Sequence, residues 1–241
     1  VWVYKSRIGE YPFLITEGMN GHINSMNYFY GPSYRKAHKL LNASFIPVDL
    51  PNYYFKTEAH KPSTIFMACV SPMDEEGNMY IGMNQTVEYY AVKDAIEKHK
   101  KIILEVNPNL TYMRGSVKIN IKDVTLLVEV NTPEYTTKPI VTSEDEDKIG
   151  HMVADLIEDG DTIQMGIGGI PDTVGKYLMD KHDLGLHTEQ FTSSMAELIE
   201  AGVITGARKA YDQGLHVGVF ADGVHELYQY LHNNPKCIMK P

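Results

Sequence analysis

The second half of the chain alternates short apolar runs with helical patterns, and this alternation constrains the fold more than any other feature of the sequence. The run DTIQM (161–165) precedes the helical pattern DTVGKYLMDKH (172–182), and two further strand–helix pairs follow before residue 233. Strands that alternate with helices are typical of an open α/β sheet, because each connecting helix covers the strands that it joins. We therefore predict an α/β fold.

The first part of the chain shows the same alternation. Helical spacing of apolar residues occurs at 33–42 and 86–100. β-rich apolar runs, bounded by glycine, proline or charged residues, occur at VWVY (1–4), STIFMACV (63–70), KIILEV (101–106) and VTLLVEV (124–130). A segment rich in proline, threonine and charge, 131–148, separates the two parts. We predict two domains, 1–140 and 141–241.

The second predicted domain opens with a helix start. Ser143 and Glu146 have the spacing of a capping box, in which each side chain bonds the other residue's backbone N–H. The residues that follow form an apolar stripe, typical of a helix that packs one face on a core: Ile149, Met152, Val153, Leu156 and Ile157.

Composition excludes several classes of protein. The net charge of −9 disfavours nucleic acid or an anionic membrane as the main partner. No run approaches the roughly 20 apolar residues that cross a bilayer, and no signal peptide is visible. Cys69 and Cys237 form no disulfide framework, which favours a reducing cytoplasm. The chain opens in a strand-like run and closes in an apolar one, so we expect a piece of a longer polypeptide.

Several familiar motifs fail. The sequence GIGG invites a dinucleotide-binding interpretation, but Pro171 stands where GxGxxG requires its third glycine. A phosphate-binding Walker loop fails because Tyr177 follows Gly175-Lys176. The ten histidines show no metal-ligand spacing, and we predict no metal site.

Two features remain. The turn Gly166–Pro171 joins a strand to a helix, where free N–H groups attract an anion; a merely tight turn is the alternative. Glu189 ends the next strand and is expected on the same rim. The alternatives for Glu189 are a solvated carboxylate or an N-terminal partner of the helix that follows.

Several stretches together resemble one known family. They are DTIQMGIGGIPDTV (161–174), LGLHTEQF (184–191), ELIEAGVITGARK (197–209) and GVFADGVHELYQYLHNNP (218–235), with EGMNGHINSMNYFYGPSYRKA (17–37) and VSPMDEEGNMYIGMN (70–84) before them. The family is that of the acetyl-CoA hydrolases/transferases, class I coenzyme A transferases that include 4-hydroxybutyrate and butyrate enzymes. The resemblance implies two open α/β domains of coenzyme A transferase type, the second of them incomplete here.

The resemblance also implies site residues. The family's catalytic glutamate lies in an H-[ST]-E motif, which here makes Glu189 the nucleophile. Its coenzyme A loop matches residues of the glycine turn, namely Gly166, Ile167, Gly168, Gly169 and Ile170. Family members read Ser-Asp-Gly where this chain has Thr192-Ser193-Ser194. That departure bears on how the loop after Glu189 is held.

The implied activity is transfer of coenzyme A from a short-chain acyl-CoA, such as butyryl- or 4-hydroxybutyryl-CoA, to a carboxylate such as acetate. Coenzyme A is then a co-substrate, no other cofactor is expected, and a homo-oligomer is the family's habit; the cytoplasm is the location that the cysteine usage favours. Two alternatives stay open: an acyl-CoA hydrolase that uses the same glutamate, and a non-catalytic homologue that only binds acyl-CoA.

Overall fold

The computed structural model describes residues 2–4, 11–138 and 140–240, and the chain forms two compact units, 1–64 and 65–241. Both units combine helices with small open sheets in which parallel pairing predominates. The predicted α/β class is therefore confirmed. The boundary that the sequence suggests near residue 140 lies inside the second unit, and a domain division at that point stays a prediction.

The first unit contains one parallel sheet in the order β1-β2-β3. Its strands are β1 (Trp2–Tyr4), β2 (Asn24–Asn27) and β3 (Ala43–Phe45), and its helices are α1 (Pro12–Ile15), α2 (Pro32–Lys39) and α3 (Tyr53–His60). Pro32 opens α2, where a missing N–H costs no hydrogen bond. Tyr34 and Ala37 of this helix are buried against Leu14 and Ala43, and these side chains form the core of the unit.

The second unit begins with a parallel sheet in the order β4-β6-β8 and an antiparallel pair, β5 with β7. The strands are β4 (Ile65–Val70), β5 (Asn78–Tyr80), β6 (Lys101–Val106), β7 (Lys118–Asn120) and β8 (Leu126–Glu129), and the helix is α4 (Glu88–Glu97). Alternate residues Ile102 and Leu104 of β6 are buried against Val92 and Ala95 of α4. The predicted strands and helix of this region are confirmed.

The rest of the second unit follows the predicted strand–helix order. Its helices are α5 (Glu144–Ala154), α6 (Gly169–Tyr177), α7 (Ser193–Glu200) and α8 (His225–Leu231). Its strands are β9 (Thr162–Ile163), β10 (Gly185–Leu186), β11 (Gln190–Phe191), β12 (His216–Gly218), β13 (Phe220–Ala221) and β14 (Cys237–Met239). Strand β9 pairs with β10, β11 with β13, and β12 with β14, all in parallel. A parallel bridge between His187 and Val217 joins β10 to β12, so the carboxyl ends of these strands share one edge.

Helix α5 packs on α6 through a face that the sequence did not indicate. Its capping box is confirmed, with Ser143 and Glu146 bonding each other's backbone N–H. Most of the apolar stripe, however, faces solvent: Met152 is 69% and Leu156 80% exposed, and only Ile157 packs against the core of the unit. Gly150 lies against α6 instead, because only a residue without a side chain lets the two helices approach this closely. The expectation that the stripe packs on a core therefore holds for Ile157 and is wrong for the other four residues.

We predict that Gly150→Ala destabilises the protein. A Cβ at this position would lie 2.6 Å from Cγ2 of Thr173 and 3.0 Å from the backbone nitrogen of Val174. We expect a loss of about 1–3 kcal/mol in the free energy of unfolding, measured by urea denaturation. In a helix without this contact the same change would stabilise the protein by about 1 kcal/mol. The sign of the change in unfolding free energy therefore tests whether α5 and α6 are in contact at Gly150. Met152→Ala, on the exposed face of α5, is the control and should change little.

We also predict a pH dependence that originates at His216 on β12, which is 1% exposed. Burial, with nearby Lys209 and Lys236, lowers the pKa of His216 from 6.5 to about 4. The unfolded chain therefore binds a proton between these pH values that the folded chain does not, and stability falls as pH drops from 6.5 towards 4. We compare how far the free energy of unfolding falls between pH 7 and pH 5. In the His216→Gln variant this fall should be about 2 kcal/mol smaller than in the unsubstituted protein. The exposed-histidine variant His151→Gln should retain the full dependence.

Candidate functional site

The turn after β9 depends on Gly168. This residue has φ +120° and ψ 178°, a backbone conformation that residues with a side chain rarely adopt. Helix α6 starts directly afterwards, at Gly169, three residues earlier than the sequence predicts. Pro171 occupies the third helical position, where its fixed φ suits the first turn. The loop proper is therefore Gly166–Gly168, and Gly169 and Ile170 belong to the helix.

This turn presents a set of unpaired backbone donors. Within residues 11–138 and 140–240, no oxygen accepts a hydrogen bond from the N–H groups of Gly166, Ile167 or Gly168. Gly169 and Ile170 open α6, so their N–H groups precede the first helical hydrogen bond, from Asp172 N–H to the Gly168 carbonyl at 3.2 Å. These donors lie at the positive end of the helix dipole, an arrangement that favours negative charge.

A carboxylate of α5 lies beside the same turn. Glu146 accepts hydrogen bonds from the N–H (2.7 Å) and the hydroxyl (2.8 Å) of Ser143. These bonds hold the pKa of Glu146 below its ordinary value. A Cβ on Gly169 would collide with this carboxylate, so a side chain at position 169 would require the end of the Glu146 side chain to move.

Glu189 combines a fixed main chain with a free side chain. The N–H of Thr188 donates to the Val217 carbonyl (2.9 Å), and the Glu189 carbonyl accepts from the N–H groups of Val219 (2.9 Å) and Phe220 (3.1 Å). The side chain is exposed, and its carboxylate has no hydrogen-bond or ion-pair partner among the described residues. It therefore does not cap α7, which was one of the alternatives for this residue.

The structure brings Glu189 and the glycine turn together. Strands β9 and β10 pair in parallel, with Leu186 opposite Ile163. The hydroxyl of Thr188, which is buried, donates to the carbonyl of Met165 at 3.1 Å. Met165 is the last residue before the turn, and Thr188 is the last before Glu189. The two segments thus leave the same edge of adjacent strands.

A second side-chain contact links the segment after Glu189 to α6. The hydroxyl of Ser194 donates to Oδ1 of Asp172 at 3.1 Å and lies 3.0 Å from the hydroxyl of Thr192. A glycine at position 194 could not make these bonds. The departure from Ser-Asp-Gly at Thr192-Ser193-Ser194 therefore has a structural consequence in this chain, because it adds a bond between the two segments of the site.

Sequence reasoning missed Lys209, which supports the strand before Glu189. The side chain is buried, and Nζ donates to the carbonyls of Leu186 (2.9 Å) and Leu215 (2.7 Å). Burial lowers the pKa of Lys209. No local pattern marks a lysine as buried, because its environment is formed by residues distant in sequence. The role of the Thr188 hydroxyl was missed as well, although the H-[ST]-E motif contains the signal.

The fold and the site define an open α/β protein in which two adjacent segments, one with an exposed, unpaired carboxylate and one with unpaired backbone amides, leave the same sheet edge. The succinyl-CoA:cyclohexane-1-carboxylate CoA transferase of Geobacter metallireducens is 34% identical over 236 residues, which are 95% of this chain and 52% of that protein. The 4-hydroxybutyrate coenzyme A transferase of Clostridium kluyveri is 34% identical over 94% of this chain and 52% of its own length.

A solved structure agrees with these relatives. The 4-hydroxybutyrate CoA-transferase of Porphyromonas gingivalis superposes with a TM-score of 0.76 at 29% identity, over 91% of this chain and 56% of that one. No protein-family model matches the chain. The resemblance inferred from the motifs is confirmed: this chain is a homologue of coenzyme A transferases. It spans about half the length of the curated relatives that it matches.

We predict that Gly168→Ala and Gly166→Ala differ sharply. A side chain at Gly168 would be strained by φ +120° although space is free around it, at a cost of about 1–3 kcal/mol. A Cβ on Gly166 would meet only Cγ of Pro171, at an ordinary 3.7 Å. Thermal unfolding of both variants measures the difference. Equal melting temperatures would show that the conformation of the turn does not require glycine at position 168.

Proposed function

We propose that the complete protein transfers coenzyme A between a short-chain acyl-CoA and a small carboxylate such as acetate, through a thioester on Glu189. One observation carries the proposal: Glu189 has a fixed main chain and an unpaired, exposed carboxylate at the edge where the glycine turn presents its N–H groups. The relatives are named for coenzyme A transfer involving succinate, 4-hydroxybutyrate, butyrate and acetate, which supports the reaction class.

A carboxylate nucleophile suits this chemistry because transfer between two acids is nearly thermoneutral. The Glu189 carboxylate attacks the acyl-CoA carbonyl, the C–S bond breaks, and a mixed anhydride and the coenzyme A thiolate result. The thiolate then attacks the glutamyl carbonyl and releases the first acid, which leaves a glutamyl-CoA thioester. The acceptor carboxylate reverses these two steps. This is nucleophilic catalysis with ping-pong kinetics.

Each of these steps passes through a tetrahedral oxyanion. We propose that N–H groups of Gly166–Ile170 stabilise it, together with the positive end of the α6 dipole. Preorganised donors of this kind contribute about a hundred- to a thousand-fold each to rate. The same donors are candidates for contacts with coenzyme A, whose distant groups supply binding energy that orients the thioester.

The proposal includes coenzyme A as a co-substrate without a further cofactor, a homo-oligomeric state, and action in the cytoplasm. Both cysteines are free thiols, which fits a reducing compartment. Among the residues that the structure describes, no helix combines the length and the apolar character needed to span a membrane.

The first test is Glu189→Gln in the complete protein, assayed with butyryl-CoA and acetate. The amide keeps the size of the side chain but is not a competent nucleophile, so formation of acetyl-CoA should fall about 1,000-fold or more. Borohydride treatment of the unsubstituted protein after exposure to butyryl-CoA should modify the peptide that contains Glu189. The matched control is Glu197→Gln on the exposed face of α7, which should retain full activity.

The same assay separates the alternatives. Acetyl-CoA formed without free thiol indicates transfer, whereas thiol released without acetate indicates hydrolysis by water. Full activity of Glu189→Gln, or an active preparation with no modification at Glu189, would rule out this residue as the nucleophile.

A further inference from the structure

The hydrogen-bond ladder between β9 and β10 ends at His187, two residues before Glu189. Along β10 the N–H of Gly185 donates to the Asp161 carbonyl (2.8 Å), and the N–H of His187 donates to the Ile163 carbonyl (3.1 Å). In a parallel pair such bonds recur every second residue. The next two bonds would run from the N–H of Met165 to the carbonyl of His187 and from the N–H of Glu189 to the carbonyl of Met165, and the described structure contains neither.

A side chain replaces the second of these bonds. The carbonyl of Met165 accepts instead from the hydroxyl of Thr188, at 3.1 Å. The N–H of Glu189 has no acceptor among the described residues, and its carbonyl turns to the N–H groups of Val219 and Phe220. The chain therefore leaves the β9 ladder after His187, and Glu189 lies at a bend between β10 and β11 rather than inside a strand.

We infer that Thr188 is a positioning residue: its hydroxyl takes over the ladder bond of Glu189, and so holds the nucleophile at the glycine turn while freeing its main chain to bend. This inference rests on the proposed function. The Thr188 hydroxyl lies within hydrogen-bond distance of two carbonyls, that of Met165 (3.1 Å) and that of Gln190 (3.2 Å). Its single proton can therefore be shared between the residue before the glycine turn and the residue after Glu189.

The environment of Thr188 makes the hydroxyl hard to replace. The residue is 4% exposed, so a water molecule does not readily take its place. Removal of the hydroxyl leaves the Met165 carbonyl without this donor inside the protein, and a buried unsatisfied carbonyl is unfavourable. We expect the two segments to separate or the N–H of Glu189 to re-enter the ladder. Either change displaces the carboxylate from the turn, and displacements of about 1 Å reduce rates about 100-fold.

The test compares Thr188→Ser with Thr188→Ala in the complete protein. Both variants lose the methyl group, and they differ only in the hydroxyl, so packing is matched. Thr188→Val is a third variant, which keeps the size of threonine without the donor. Rapid mixing with butyryl-CoA, followed by quenching and mass measurement of the Glu189 peptide, gives the rate constant and the amplitude of thioester formation.

We expect Thr188→Ser to retain the rate constant within a few-fold. Thr188→Ala and Thr188→Val should form the thioester about 10- to 100-fold more slowly. The rate constant is the decisive readout, because partial misfolding lowers only the amplitude. The KM for butyryl-CoA should remain unchanged in all three variants.

The outcomes distinguish this inference from the function on which it rests. Thioester on Glu189 in the unsubstituted protein, with equal rate constants for the serine and alanine variants, would overturn the positioning role alone. No thioester on Glu189 in an active, unsubstituted protein would overturn both proposals. A reduced amplitude at an unchanged rate constant would assign Thr188 a purely structural role and would also contradict the inference.

Discussion

The register between β9 and β10 decides whether this chain has a site at all. Each strand contains only two residues, so few bonds set the register: the main-chain bonds of one short parallel pair and the hydroxyl of Thr188 beyond them. Such short strands are weak by themselves. The surrounding core stabilises them, since Leu184 and Leu186 are fully buried and the ammonium group of Lys209 donates to the Leu186 carbonyl. A shift of one residue would turn the side chain of Glu189 to the other face of the sheet.

The helices add a second constraint on the same region. Gly150 lets α5 lie directly against α6, and this contact brings Glu146 beside the first turn of α6. The bond between Ser194 and Asp172 then ties α6 to the first turn of α7, which follows Glu189. Three sets of contacts therefore hold the backbone around the site: the β9–β10 pairing, the packing of α5 on α6, and the bond between Ser194 and Asp172. The carboxylate of Glu189, in contrast, has no hydrogen-bond or ion-pair partner among the described residues. An exposed, unpaired carboxylate is what both a nucleophile and the solvated-carboxylate alternative require, so the role of Glu189 stays a prediction.

The predictions from sequence were accurate where the signal is local. The strands at 101–106 and 63–70 and the capping box at Ser143 follow from patterns within a few residues, and the structure reproduces them. The start of α6 was placed three residues late, because the conformation of Gly168 is not visible in composition. Most of the apolar stripe after residue 148 was misassigned, because periodicity identifies an apolar face but not the surface that it contacts.

By itself the sequence determined the α/β class, the order of the elements, and two segments that contain candidate functional groups. These segments are the glycine turn and His187-Thr188-Glu189. These follow from local propensity and from motifs whose residues are neighbours in the chain. Only the tertiary structure decided that the two segments share an edge, that a threonine hydroxyl replaces a main-chain bond between them, and that Lys209 and Ser194 support them. Those facts depend on register and on contacts between residues more than 20 positions apart, which no local pattern encodes.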